Sequence, residues 1–108
     1  MTASLQGRYA AALFELASEK GEAATVETDL ESLAAALATS ADFAALIRDP
    51  RLTRSGGAKA IDAISGLLNL SGLTRNFLAV LADNGRLAVL PDAIVAFRTI
   101  AAAARGEI

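Results

Sequence analysis

Apolar residues in this chain recur with the period of an α-helix and almost nowhere with that of a strand. That one feature closes off most folds. Val26, Leu30, Leu33 and Leu37 fall at i, i+4, i+7 and i+11, with Glu27, Thr28, Glu31 and Ser32 facing away. At about 100° per residue the four apolar side chains share a narrow arc, the pattern of a surface helix in a globular bundle. β-branched and aromatic residues are too scattered to build strands; aromatics make up 5% of the chain, with one Tyr and no Trp. Much of the 54% hydrophobic fraction is alanine, which favours helix and lets helices approach closely.

Punctuation divides this periodic chain into six helical pieces. The first is expected from about Ser4 to Lys20, ending at Gly21, and the second from about Ala23 to Ala38. Ser40 or Asp42 can cap a short third helix holding Phe43, Leu46 and Ile47. Asp49-Pro50 ends it, because the residue before proline is pushed out of the helical region. Thr53 is a candidate cap for the fourth, with Ala60, Ile61, Ile64 and Leu68 as its apolar positions and Gly56-Gly57 weakening its first turn. The fifth runs from near Ser71 to Asp83, and Asn84-Gly85 stops it. Leu90-Pro91 opens the sixth, which continues through Ile94, Phe97, Ile100, Ala101 and Ala104. No repeat or low-complexity linker interrupts the series. The fold class is all-α, a compact six-helix bundle formed by residues 1–108 as one domain.

Two of these helices carry too much apolar surface. The second and sixth keep their main apolar residues within arcs of roughly 60–120°. The first, the "GRYAAALFELASEKG" helix, spreads Leu5, Tyr9, Ala10, Ala12, Leu13, Phe14, Leu16 and Ala17 over roughly 200° by the same spacing. The fifth does likewise with Leu73, Phe77, Leu78, Val80, Leu81 and Ala82. A helix apolar over more than half its circumference is either central to its bundle or in contact with something outside it. Periodicity leaves both readings open.

Composition excludes most chemistry. The chain has no Cys and no His, so it lacks a thiolate nucleophile, a disulfide framework and the commonest general base and metal ligand. Lys20 and Lys59 are the only amine side chains, and no activated nucleophile is visible among the Ser and Thr residues. "RSGGAK", Arg54 to Lys59, lacks the spacing of a phosphate loop and a preceding strand. Glu27, Asp29 and Glu31 read as a solvated helix face and not as a metal site. Residues 1–49 hold three basic and eight acidic groups, and residues 50–108 hold seven basic and four acidic. Neither half offers the dense basic face that nucleic acid requires. No uninterrupted apolar run exceeds six residues, so no bilayer span is expected, and no secretory signal layout opens the chain. The expectation is a non-enzyme without cofactor or metal, and a monomer that stays in the compartment where it is made.

Two segments together resemble a known family. "GRYAAALFELA" (Gly7 to Ala17) resembles the opening helix of the delta subunit of F-type ATP synthases, a family that includes the mitochondrial oligomycin-sensitivity-conferring protein. "NFLAVLADNGRLAVLPDAIVAF" (Asn76 to Phe97) is similar to that family's fifth and sixth helices, including the Asn84-Gly85-Arg86-Leu87 corner and the aromatic Phe97. Their separation also fits, so the resemblance covers almost the whole chain. Members of the family continue into a C-terminal domain after a segment like "ARGEI" (Ala104 to Ile108), where this sequence stops. An isolated N-terminal domain is therefore expected. With Arg outnumbering Lys eight to two, the composition leans toward GC-rich bacterial coding.

The resemblance implies a stator component at the cytoplasmic face of the bacterial inner membrane, peripheral and without insertion. It would bind alpha-subunit N-terminal helices and link the catalytic head to the peripheral stalk, with the b subunit contacted only through the C-terminal domain. The partner groove it implies lies between helices one and five, the two with over-wide arcs. By position it carries over Tyr9, Ala12, Leu13 and Leu16 on helix one and Leu73, Phe77, Val80 and Asn84 on helix five. Tyr9 also suits a bundle edge, Leu81 and Phe77 sit nearer the centre of their arc, and Asn84 also suits a C-cap. Glu15 and Glu19 flank the helix-one stripe and could meet basic partner residues. A generic helical adaptor or regulatory domain, self-associating through the same apolar surface, is the competing reading.

Overall fold

The breaks in the periodic pattern become helix ends in the computed structural model, which describes residues 4–106. Helix α1 (Leu5–Glu19) begins at Ser4, whose side-chain oxygen accepts from the Gly7 amide at 3.1 Å. Helix α2 (Ala23–Thr39) is followed without a loop by α3 (Ala41–Arg48), the axis turning through 103° at Ser40. Ser40 supplies the α3 cap, its hydroxyl accepting from the Phe43 amide at 3.1 Å. Thr53 does the same for α4 (Arg54–Leu68), accepting from the Gly56 amide at 2.9 Å. Each hydroxyl satisfies a first-turn amide that has no partner within its helix. Helices α5 (Gly72–Asp83) and α6 (Leu90–Ala104) complete the six. A 3-10 turn over Leu87–Val89 leads into α6, which the pattern of the sequence does not reveal.

Glycine ends α1 and α5 in one way. Gly21 and Gly85 both take φ of +68°. The residue after each glycine reaches back, Glu22 N–H to the Ala17 carbonyl and Arg86 N–H to the Leu81 carbonyl, both at 2.7 Å. A left-handed residue is what lets that bond close at a helix end. The Gly56-Gly57 pair, expected to weaken α4, is explained by packing. A Cβ on Gly57 would lie 3.2 Å from Leu87 Cδ1 and 3.5 Å from Ala82 Cβ, so a side chain there would crowd the approach of α4 to its neighbours. The "RSGGAK" stretch is simply the first turn of this helix. Glu107 and Ile108, the end of the "ARGEI" segment, lie outside the described residues.

Helix α2 touches all five other helices, while α6 packs along α1 and against α2. On α6 the inward side is well covered. Leu90, Ala93, Ile94, Phe97 and Ala101 on its inner side are all 3% exposed or less. Phe14 of α1 meets Phe97 edge-on, with ring centroids 5.6 Å apart. By length and composition Leu87–Ala104, with a mean hydropathy of 1.7, would suffice to cross a membrane, contrary to the expectation from the short apolar runs. In the fold that apolar side covers the core, and Asp92 and Arg98 lie on the outer side. The acidic stretch of α2 also departs from a uniformly solvated face. Glu27 and Glu31 do point outward and pair with Arg105 and Arg98. Asp29 turns inward and is only 9% exposed. Its Oδ2 accepts from the Ser71 amide at 3.0 Å and from the Ser71 and Thr74 hydroxyls at 2.7 Å each. A carboxylate on α2 thereby caps α5 across the bundle, and Ser71 makes no side-chain cap of its own.

Candidate interaction site at the α1–α5 corner

Tyr9 is the side chain that joins the two helices with over-wide arcs. It sits in the second turn of α1, half-buried, with its ring edge-on to Phe77 of α5 at a centroid distance of 6.4 Å. Its hydroxyl oxygen accepts from Asn84 Nδ2 at 3.1 Å and from Arg86 Nη1 at 3.0 Å. The glycine turn at Gly85 makes this possible, because it swings Arg86 back beside the end of α5. Hydrogen bonding from Arg86 lowers the Tyr9 pKa below the ordinary value for a phenol, opposed by desolvation and aided by Asn84. Arg8 and Arg86 bring two cationic side chains to this corner. With Leu5 and Ala12 they border an open surface hollow of about 330 Å³ beside the ring.

The eight expected interface residues differ in how they are placed and how much surface they keep. Tyr9, Ala12, Phe77 and Asn84 come together at this corner. Leu13 and Phe77, at 5% and 8% exposure, are turned into the core and leave little surface to offer. Leu16 is 42% exposed and Val80 48%, while Ala12 and Asn84 are exposed and Leu73 half-buried. Val80 also lines a separate cleft of about 590 Å³ between α4 and α5, with Ile61, Ala79 and Ala82 among its apolar walls and Arg54 and Arg75 among its polar ones. So the wide arc of each helix is shared between core and surface. Part of it closes the bundle, and part is left as an apolar stripe.

Sequence reasoning missed Arg86 and Arg8 as members of the site. Arg86 stands 77 residues from Tyr9, and no periodic signal links positions that far apart. The pointers in the sequence are its membership of the Asn84-Gly85-Arg86-Leu87 corner and its place immediately after a glycine, which here takes positive φ and redirects the chain. Glu15 and Glu19 are exposed on α1, as their positions suggested. Among the described residues no cluster of acidic, His or Cys side chains could hold a metal ion.

Fold and site together define an all-helical interaction module, whose exposed chemistry is apolar stripes and hydrogen-bond donors at a helix corner. Comparison with known sequences then gives the family. The sequence model of the ATP synthase delta (OSCP) subunit matches residues 5–108, and the chain belongs to that family. It is 55% identical over 106 residues to the ATP synthase subunit delta of Erythrobacter litoralis, covering 98% of this chain and 58% of that protein. It is 50% identical over 100 residues to the subunit delta of Mesorhizobium japonicum, covering 93% and 54%. With the Xanthobacter autotrophicus protein it shares 41% over 107 residues, covering 99% and 53%. The chain thus spans a little over half the length of these relatives.

Proposed function

We propose that this domain is a non-catalytic stator component that holds alpha-subunit N-terminal helices against the α1–α5 corner and so ties the catalytic head of an F-type ATP synthase to its peripheral stalk. The observation that carries this reading is the exposed part of the two over-wide arcs. Leu16 and Val80 remain 42% and 48% exposed in the folded domain, on the two helices that Tyr9 bridges. An amphipathic helix recognised through spaced apolar anchors is the partner type that such a stripe fits. Membership of the delta (OSCP) family supports the setting. The complex would lie at the cytoplasmic face of a bacterial inner membrane, with this domain peripheral to it. Contact with the b subunit is assigned to the part of the family protein beyond this domain.

Titration calorimetry of this domain with a peptide copied from the alpha-subunit N-terminus of the same organism tests the proposal. Saturable binding that perturbs the Tyr9 absorbance is the expected result. The single Tyr and the absence of Trp make that signal specific to the corner. Absence of binding, with self-association through the same surface, would favour the adaptor reading.

A further inference from the structure

The donors around Tyr9 outnumber the acceptors. The phenol oxygen already accepts from Asn84 and Arg86, and among the described residues nothing accepts the hydroxyl's own proton. Arg86 donates only one of its five N–H groups there, and among the described residues neither it nor Arg8 has a carboxylate partner. The arginines that do are Arg51, Arg98 and Arg105, with Asp49, Glu31 and Glu27. Arg8 and Arg86 instead flank a hollow of about 330 Å³ with Leu5 and Ala12 as its apolar walls. Arg86, chiefly through its hydrogen bond, and Arg8, through its charge, both lower the Tyr9 pKa.

We propose that this hollow receives one carboxylate side chain of the bound helix, which accepts from the Tyr9 hydroxyl and the Arg86 guanidinium while Arg8 flanks it. The inference rests on the alpha-helix reading above and adds the chemistry that selects and orients that helix. Apolar anchors along a stripe fix the helix laterally but tolerate sliding by a turn. A carboxylate held in a fork of guanidinium and phenol donors has one position, and so sets register and direction. Ala12 suits this role because its small side chain leaves the entrance open.

The test uses the alpha-subunit N-terminal peptide of the same organism and copies of it in which each Glu or Asp is converted singly to Gln or Asn. One amidated copy should bind the wild-type domain roughly tenfold more weakly, the scale of a charge-assisted hydrogen bond in partly exposed surroundings. Against Arg86→Gln the unmodified peptide should lose a similar factor, and the amidated copy should lose nothing further. Tyr9→Phe keeps the ring on Phe77 and removes only the hydroxyl, so it should reproduce the loss for the unmodified peptide alone. Arg86→Lys should recover part of the affinity, and circular dichroism checks that each variant keeps its helicity. Equal binding of every amidated copy, or an unchanged affinity for folded Arg86→Gln, would overturn the carboxylate site while leaving the helix reading intact. No binding of the unmodified peptide to the wild-type domain would remove both.

Discussion

Aspartate placed at Val80 and at Ile94 should give opposite results, and the pair separates interface from core. Ile94 is 2% exposed on the inner side of α6. Replacing it removes about 2–3 kcal/mol of apolar burial and leaves a carboxylate in the core without a partner, at a cost of several kcal/mol more. The sum, at least about 5 kcal/mol, is comparable with the total stability of a domain this size, roughly 5–15 kcal/mol. Val80 is 48% exposed, so its loss forfeits about 1 kcal/mol of burial, and the new carboxylate stays hydrated beside a cleft that holds both Arg75 and Asp83. Thermal unfolding followed by circular dichroism should show Ile94→Asp unfolded or melting at least about 20 °C lower. Val80→Asp should melt within a few degrees of the parent, yet bind the alpha-subunit peptide at least about tenfold more weakly, because a charge in place of an anchor must be desolvated on binding. If Val80→Asp unfolds like Ile94→Asp, that part of α5 is core and the burial argument is wrong. If it folds and binds normally, the peptide groove does not include Val80.

Other expectations test single features of the fold and site. Asp29→Ala removes the acceptor shared by Ser71 and Thr74 and leaves the fully buried Thr74 hydroxyl without its carboxylate partner; urea unfolding should register a loss of about 3 kcal/mol, and a loss under about 0.5 kcal/mol would show that the α2–α5 clasp is dispensable. Spectrophotometric titration of the chain's single tyrosine should give a midpoint below the ordinary phenol value of 10.0, with Arg86→Ala moving it back up. Because the folded-state pKa is the lower one, any stabilisation from this shift appears only as pH rises through the phenol range and is absent at neutral pH. Raising salt from low to moderate ionic strength should weaken alpha-peptide binding only modestly, since screening acts on the rim charges and not on apolar burial; a loss of several orders of magnitude would place the affinity in charge pairs instead.

The local architecture was legible in the sequence because its causes are local. Period, caps and stops lie within a few residues of the helix ends they specify. Ser40 and Thr53 cap α3 and α4, and Gly21 and Asn84-Gly85 end α1 and α5, where their side chains and dihedral preferences require. The wide arcs of α1 and α5 were equally visible, and with them the fact that something more than a narrow seam had to cover these helices. Tertiary structure decided what covers which part. It packed α2 against every other helix, sent Leu13 and Phe77 inward, and left Leu16 and Val80 at the surface. It also turned Asp29 from a supposed solvated face into a cap for a helix 42 residues away, and brought Arg86 to a phenol 77 residues earlier. Such pairings depend on how helices rotate and cross when they pack, and periodicity along one helix carries no information about the rotation of another.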